Sequence, residues 1–315
     1  MKVLSIETSC DDTSAAVVDD VSFEVLSCCT ISRLKDHAHF GGVVPEIASR
    51  HHEESIFEVV NNALEEASLK PCDLNAIAVT TKPGLIGSIL VGTSFAKGFS
   101  VALDLPLIEV DHVQSHATSA MIEFKNLKPP FLSLVASGGH TSVIDVKNYT
   151  EYKTCFQTID DAVGEVYDKV ARSLGIPYPG GSKLDQMALI GECKYSMPVP
   201  KISNFSFSGI KTWALNISKN IKETEKNNLA ASLVYGISNY VSDHLIRIAR
   251  NLGRNRISIG GGVACSKVLR SVLEHKCDLH NIELFIPNPK FCTDNAAMIG
   301  FQGIYNFKNQ SCKKI

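Results

Sequence analysis

The sequence has no Cys-x-x-Cys pair, a formal net charge of only −2, and no uninterrupted apolar run that reads as long enough to span a bilayer. The missing pair argues against a structural zinc ribbon. The near-neutral balance neither demands nor excludes a nucleic-acid partner, because phosphate binding needs a local basic patch rather than a basic average. The apolar start of MKVLSIETSCDD is broken by Glu7 before a signal-peptide core forms, so the expectation is a cytoplasmic protein with no membrane partner. Ten cysteines are present but scattered, and adjacent Cys28 and Cys29 are badly placed to bridge each other, so the thiols are expected to be reduced and mostly buried.

What is there suits a globular chain of 315 residues, 44% apolar and 20% charged, long enough for two domains. Apolar runs at 2–6, 15–18, 75–79, 107–110, 131–136, 142–146, 257–260 and 282–286 predict strands. Ile56, Val59, Val60, Ala63, Leu64 and Ala67 recur at helical spacing, as do Ala230, Leu233, Val234, Ile237, Val241, Leu245, Ile248 and Leu252. Strands alternating with helices predict an α/β architecture with largely parallel sheets.

KVLSIETSCDDTSAAVV and FLSLVASGGHTSVIDV share one pattern of strand, tight polar turn and strand, which suggests two related halves. Their turns are ordinary hairpin turns or, facing each other, a clamp for a phosphate. A third glycine-rich segment, RISIGGGVACSKVLR, follows a strand and opens a helix, a common docking place for a nucleotide.

His112 and His116 in DHVQSHATSAMIE lie one helical turn apart, a spacing that suits zinc or iron and equally a solvated helix face. Val113, Gln114 and Ser115 fill the gap, so the glutamate base of an HExxH peptidase is missing. His37, His39, His51 and His52 read as a polar surface cluster, with contact to RNA or substrate as the alternative. Lys201, Lys211, Lys219, Lys222, Arg247, Arg250, Arg254 and Arg256 are candidates for meeting RNA phosphates.

The chain resembles the bacterial TsaD family, tRNA threonylcarbamoyladenosine synthases of the actin/hexokinase/heat-shock superfamily. The resemblance is carried by IETSCDDTSAAVV, FGGVVPEIASRHH, PGLIGSILVG, DHVQSHA, ASGGHT, IDDAVGEVYDKVARSLGIPYPGG, FSFSGIKT, GGGVACS and CTDNAAMIG, which together span nearly the whole sequence. It implies two related ribonuclease-H-like, actin/hexokinase-type α/β domains with a nucleotide and metal cleft between them, divided as 1–112 plus 290–315 and 113–289. It implies transfer of the threonylcarbamoyl group from threonylcarbamoyl-AMP to the N6 amine of the adenosine 3′ to the anticodon in tRNAs reading codons that start with A. AMP is released.

The residues alone do not select a carboxylate partner for the histidines; the resemblance points to His112, His116 and Asp294 as ligands of one divalent ion, iron(II) with zinc(II) as the alternative. Asp294 otherwise reads as a helix N-cap. By the same resemblance the turn Val135, Ala136, Ser137, Gly138 and Gly139 would meet the donor's phosphate or acyl end. Asp168, Gly181, Asp185 and Ser266 would hold its ribose and adenine. Asp11 is the candidate acceptor of the amine proton, or else a turn-capping aspartate.

Three positions depart from the family pattern: Ser266 stands for Asn, Lys82 for Gly and Asp12 for Glu. Expected partners are tRNA, a paralogous TsaB-type subunit and a TsaE-type small ATPase. A sugar or acetate kinase is the competing enzyme class, and a nonenzymatic nucleotide-dependent scaffold the other alternative. A kinase would leave the histidine pair without a role, since magnesium prefers oxygen ligands.

Overall fold

The computed structural model describes residues 1–312, which form two compact units. Into the first go β1 (Lys2–Glu7), β2 (Asp12–Asp19), β3 (Glu24–Ser32), a single turn α1 (Leu34–His37), α2 (Pro45–Glu66), β4 (Ala76–Lys82), α3 (Ile86–Leu103), β5 (Leu107–Asp111), α4 (His112–Thr118) and α5 (Ala120–Glu123). The second comprises β6 (Phe131–Ala136), β7 (Thr141–Val146), β8 (Tyr152–Gln157), α6 (Val163–Ser173), α7 (Gly181–Ile190), α8 (Ser208–Ser218), α9 (Lys226–Leu252), β9 (Arg256–Gly260), α10 (Lys267–Leu279) and β10 (Glu283–Phe285). The last helix, α11 (Ala296–Cys312), returns to the first unit.

The two sheets have one topology. The first runs β3-β2-β1-β4-β5 and the second, read from its other end, β8-β7-β6-β9-β10. In each, three consecutive strands pair antiparallel, and on the other side of the first of the three one parallel strand adds to it and a second parallel strand adds to that one, each reached through a crossover. The related halves expected from the two hairpin motifs are therefore a duplicated fold. The sheets are mixed rather than largely parallel, because each half opens with a meander of short turns before its helical crossovers begin.

Two strands escaped the sequence reading, β3 and β8. Both sit at sheet edges beside a neighbour on one side only, and their residues other than Ser27 are half-buried or exposed, so neither carries an apolar run. The central strands β1, β2, β6 and β7 are buried almost throughout and read plainly. In the first unit Leu4, Ile6, Ala15 and Val17 pack with Ile56, Val59 and Ala63 of α2. In the second, Leu132, Leu134 and Val143 share a core with Leu233, Val234, Ile237 and Leu245 of α9.

Two expectations are corrected here. The domain boundary expected after His112 falls after Asn126, since α4 is one continuous helix packed on α11 and β5 of the same unit. Residues 290–293 likewise belong with the second unit, where the Cys292 thiol lies 3.5 Å from the Arg270 guanidinium. The second correction concerns α3, which is 18 residues long with a mean hydropathy of 1.4, enough by length and composition to cross a membrane, and only 22% buried. Its glycines, serines and threonine are too mildly polar to lower that average, which is why no single apolar run stands out. Ser88, Gly92 and Ala96, four residues apart, are its buried positions, and the helix packs against α2 and β4.

Candidate functional site

The chain leaves β5 and turns at once into α4, with Asp111 as the hinge: its carboxylate accepts the Gln114 amide at 3.0 Å and caps the helix. His112 and His116 follow one turn apart, both buried, with ring centroids 4.6 Å apart and planes at 84°. Asp294 completes the group from the segment before α11. Its Oδ1 lies 3.0 Å from His116 Nε2 and 3.6 Å from His112 Nε2.

The expected alternative for Asp294, a helix N-cap, belongs instead to Asn295, whose Oδ1 accepts the Met298 amide at 3.0 Å. The start of α11 is pinned to the sheet twice more. Ser5 Oγ donates to the Ala296 carbonyl at 2.7 Å, and Ser14 Oγ accepts the Ala296 amide at 3.0 Å. Asp294 is thus delivered to the imidazoles by a helix anchored on β1 and β2.

The donor set fits a divalent cation. His112, His116 and Asp294 each offer one ligand atom, all within 4.8 Å of one another. Bonds of about 2.1 Å to a shared ion place neighbouring donors roughly 3.0–3.5 Å apart, and the two imidazole–carboxylate separations bracket that range. Two imidazoles and a carboxylate leave coordination positions open, as metal centres that act on substrates do.

Behind His112 stands a carboxylate that sequence reasoning used only as an interruption of the apolar start. Glu7, fully buried at the end of β1, places Oε2 3.1 Å from His112 Nδ1. Burial opposes charge on both groups. Burial is the largest single influence at each, but Glu7, Asp294 and Asp111 together outweigh it at His112 and raise that imidazole to about 9, while His112 and the hydrogen bond from Ser9 together hold the Glu7 carboxyl below its ordinary range.

Asp11 lies in the turn after β1 and Asp12 opens β2, each with one buried carboxylate oxygen that has no hydrogen-bond partner among the described residues. Burial raises the Asp11 carboxyl, and Asp294 adds to the effect. Burial, with Asp11, Asp294 and Glu7 nearby, pushes Asp12 to about 7.

The histidines read as a surface cluster are mostly interior. His37 and His52 are completely buried, and only His39 is exposed. His52 ties α2 to the β1–β2 turn, its ring nitrogens 2.8 Å from Thr13 Oγ1 and 3.0 Å from the Cys10 carbonyl, and burial holds its pKa below the ordinary histidine value. That is a structural role, which the hydrophilic neighbourhood in sequence concealed.

In the second unit the β6–β7 turn is closed by Ser137, whose amide donates to the His140 carbonyl at 2.7 Å and whose Oγ accepts the His140 amide at 3.1 Å. Gly138 and Gly139 have open space where a side chain would stand, so their backbone is accessible to a bulky anion. Val135 and Ala136 are different: both are buried strand residues whose side chains belong to the core. Gly164, at the start of α6, presses on this turn, and a Cβ there would lie 2.7 Å from the Ser137 carbonyl.

The residues assigned to ribose and adenine are already in use by the protein. Asp168 Oδ1 accepts the amides of Gly180 and Gly181 at 2.8 and 3.1 Å, fixing the N-terminus of α7. From α7 itself, buried Asp185 accepts from Ser266 Oγ at 2.5 Å and from the Lys267 and Val268 amides at 2.9 and 3.4 Å. Ser266 in turn caps α10 by accepting the Leu269 amide at 3.1 Å. Asp168 and Gly181 form one such cluster, and Asp185 with Ser266 a second.

Among the basic candidates, Arg254 forms a two-pronged pair with buried Asp145 at 2.8 and 3.0 Å, and Lys211 is held by Asp161 at 2.6 and 2.7 Å. Their charges are taken up within the fold rather than offered to RNA.

A duplicated α/β unit of this topology, with a His–His–carboxylate donor set, defines an actin/hexokinase-type protein carrying a metal-type site. Solved structures agree on the fold: HypF of T. kodakarensis aligns over 98% of this chain and 48% of its own at TM-score 0.66 and 15% identity. A ROK family protein from Streptococcus pneumoniae aligns over 99% and 100% at TM-score 0.55 and 12% identity.

The family itself comes from sequence. Residues 24–301 match the model of TsaD, tRNA N6-adenosine threonylcarbamoyltransferase. A protein of that description from Caldicellulosiruptor bescii is 44% identical over 98% of this chain and 94% of its own. Another, from Staphylococcus saprophyticus, is 42% identical over 97% and 91%. The chain belongs to the tRNA N6-adenosine threonylcarbamoyltransferase family and is a transferase that modifies tRNA. The kinase and scaffold readings are set aside by that membership, and a divalent metal is implied by it.

Proposed function

We propose that the chain transfers the threonylcarbamoyl group from threonylcarbamoyl-AMP to the N6 amine of the adenosine 3′ to the anticodon, in tRNAs reading codons that begin with A. The amine nitrogen attacks the carbamoyl carbon, the bond from that carbon to the phosphate oxygen breaks, and AMP leaves. The donor is already activated, so the protein's work is to orient it, exclude water and accept a proton.

His112, His116 and Asp294 would hold one divalent ion, iron(II) in preference to zinc(II), because two imidazoles and one carboxylate with open positions suit non-haem iron. When bound, the ion supplies Lewis-acid stabilisation of negative charge at the donor's acyl end. Asp11 takes the amine proton, and its raised proton affinity supports that role. Ser137, Gly138 and Gly139, with the backbone of Val135 and Ala136, cradle the donor's phosphate. Asp168, Gly181, Asp185 and Ser266 shape the wall for its nucleoside.

The chain acts in the cytoplasm with a TsaB-type paralogue and a TsaE-type small ATPase. An exposed apolar surface on α3, carrying Ile86, Leu90 and Val101, supports a protein partner. The observation that carries the whole reading is the convergence of two buried imidazoles on one carboxylate oxygen, at 3.0 and 3.6 Å. The test is reconstitution with threonylcarbamoyl-AMP, unmodified tRNA and both partners, followed by mass analysis of the nucleosides. Adenosine that stays unmodified with every component present refutes the assignment.

A further inference from the structure

We infer that Glu7 is the positioning residue of the metal centre: it grips the rear nitrogen of His112 and so fixes the direction in which that imidazole presents its other nitrogen. This rests on the reading of His112, His116 and Asp294 as ligands.

Glu7 Oε2 lies 3.1 Å from His112 Nδ1, and Ser9 Oγ lies 3.1 Å from the same nitrogen, so the rear of the ring is occupied by the carboxylate and a hydroxyl two residues beyond it. Nε2 is then the nitrogen that faces Asp294, 3.6 Å away, and the one an ion would take. Glu7 is itself immobilised from both sides. The Ser9 amide donates to Oε1 at 2.5 Å and Thr80 Oγ1 donates to Oε2 at 2.5 Å.

The sheet explains the arrangement. β1 and β4 are parallel with Ile6 beside Val79, so Glu7 and Thr80 emerge side by side at their carboxyl ends. β5 runs parallel to β4 with Val110 beside Thr80, and His112 follows two residues later. Three adjacent strand ends therefore assemble ligand, orienting carboxylate and the hydroxyl that orients the carboxylate.

A completely buried glutamate is expensive to maintain without a compensating charge, and among the described residues its ion-pair partner is His112. Glu7 and Asp294 together carry two negative charges, which a divalent cation balances. His116 differs, for its Nδ1 is buried with no hydrogen-bond partner among the described residues. The orienting device serves one imidazole of the two.

The test titrates zinc(II) alone into metal-free full-length protein in competition with a chromogenic chelator, with cobalt(II) absorption as a second readout. Glu7→Gln keeps an acceptor near Nδ1 but removes the charge, and is expected to weaken zinc binding roughly 10–100-fold and shift the cobalt band. Thr80→Val, which only loosens Glu7, is expected to weaken binding by a smaller factor. Wild-type affinity and an unshifted cobalt band in Glu7→Gln overturn the proposal, and should that variant fail to fold, unchanged affinity in Thr80→Val overturns it. Failure of the wild-type protein to bind zinc or cobalt at all overturns the metal reading beneath it, a distinct result.

Discussion

Replacing Asp185 by Asn should destabilise the protein even with no nucleotide present. Asp185 Oδ1 receives Ser266 Oγ and the Val268 amide, and Oδ2 receives the Lys267 amide at 2.9 Å. Asn keeps one acceptor oxygen and turns an NH2 group toward a donor, so the bond from Lys267 is lost. A hydrogen bond to a charged acceptor is worth about 1.5–3 kcal/mol. The negative charge at the N-terminus of α10 contributes a further 0.3–1 kcal/mol or so. The expected loss is about 2–4 kcal/mol, or roughly 4–16 °C in the midpoint of the second unit at about 2–4 °C per kcal/mol.

Asp168→Asn is the matched control, because both amides that Asp168 accepts go to the same oxygen, Oδ1, which Asn retains. Its loss should stay under about 1 kcal/mol. Thermal unfolding followed by circular dichroism, with amide exchange at the first turn of α10, measures both variants. If the nucleotide-free Asp185→Asn protein melts with the wild type, or no lower than Asp168→Asn, the anchoring role is refuted and Asp185 acts on ligand alone.

Asp294→Ala should abolish stoichiometric metal by elemental analysis, yet melt close to the wild type when both are compared metal-free, because Asn295 supplies the cap of α11. In Gly164→Ala the new methyl meets the Ser137 carbonyl at 2.7 Å and the Gly138 amide at 2.9 Å. The displaced turn should lower kcat/KM by roughly tenfold or more in the reconstituted assay while the fold persists. Burial is the largest single influence on the Asp160 carboxyl and raises it, but the Phe207 amide and the Ser206 and Ser208 donors together outweigh it and hold it below 3.8. A depressed folded-state value stabilises above the unfolded value and is lost as pH falls through the folded one. The stability gap between wild type and Asp160→Asn in urea titrations should therefore be constant near neutrality and close in acid, below pH 3.8.

The linear sequence by itself determined whatever depends on near neighbours. Buried central strands announced themselves as apolar runs, α2 and α9 as helical periodicity, the duplication as two hairpins of one pattern, and the histidine pair as a three-residue gap. Motif resemblance added Asp294, which no spacing rule selects across 178 residues. Edge strands β3 and β8 stayed hidden because half of each faces solvent and no apolar run remains to mark them. The roles of buried polar groups stayed hidden for a deeper reason: a side chain's function depends on what stands opposite it. Glu7 became the support of His112 only when parallel pairing set the ends of β1, β4 and β5 side by side. Asp185 proved to anchor Ser266 only when α7 met the start of α10. Those neighbours are chosen by strand order and helix packing, which bring together groups far apart along the chain, and burial then sets how strongly each pair interacts.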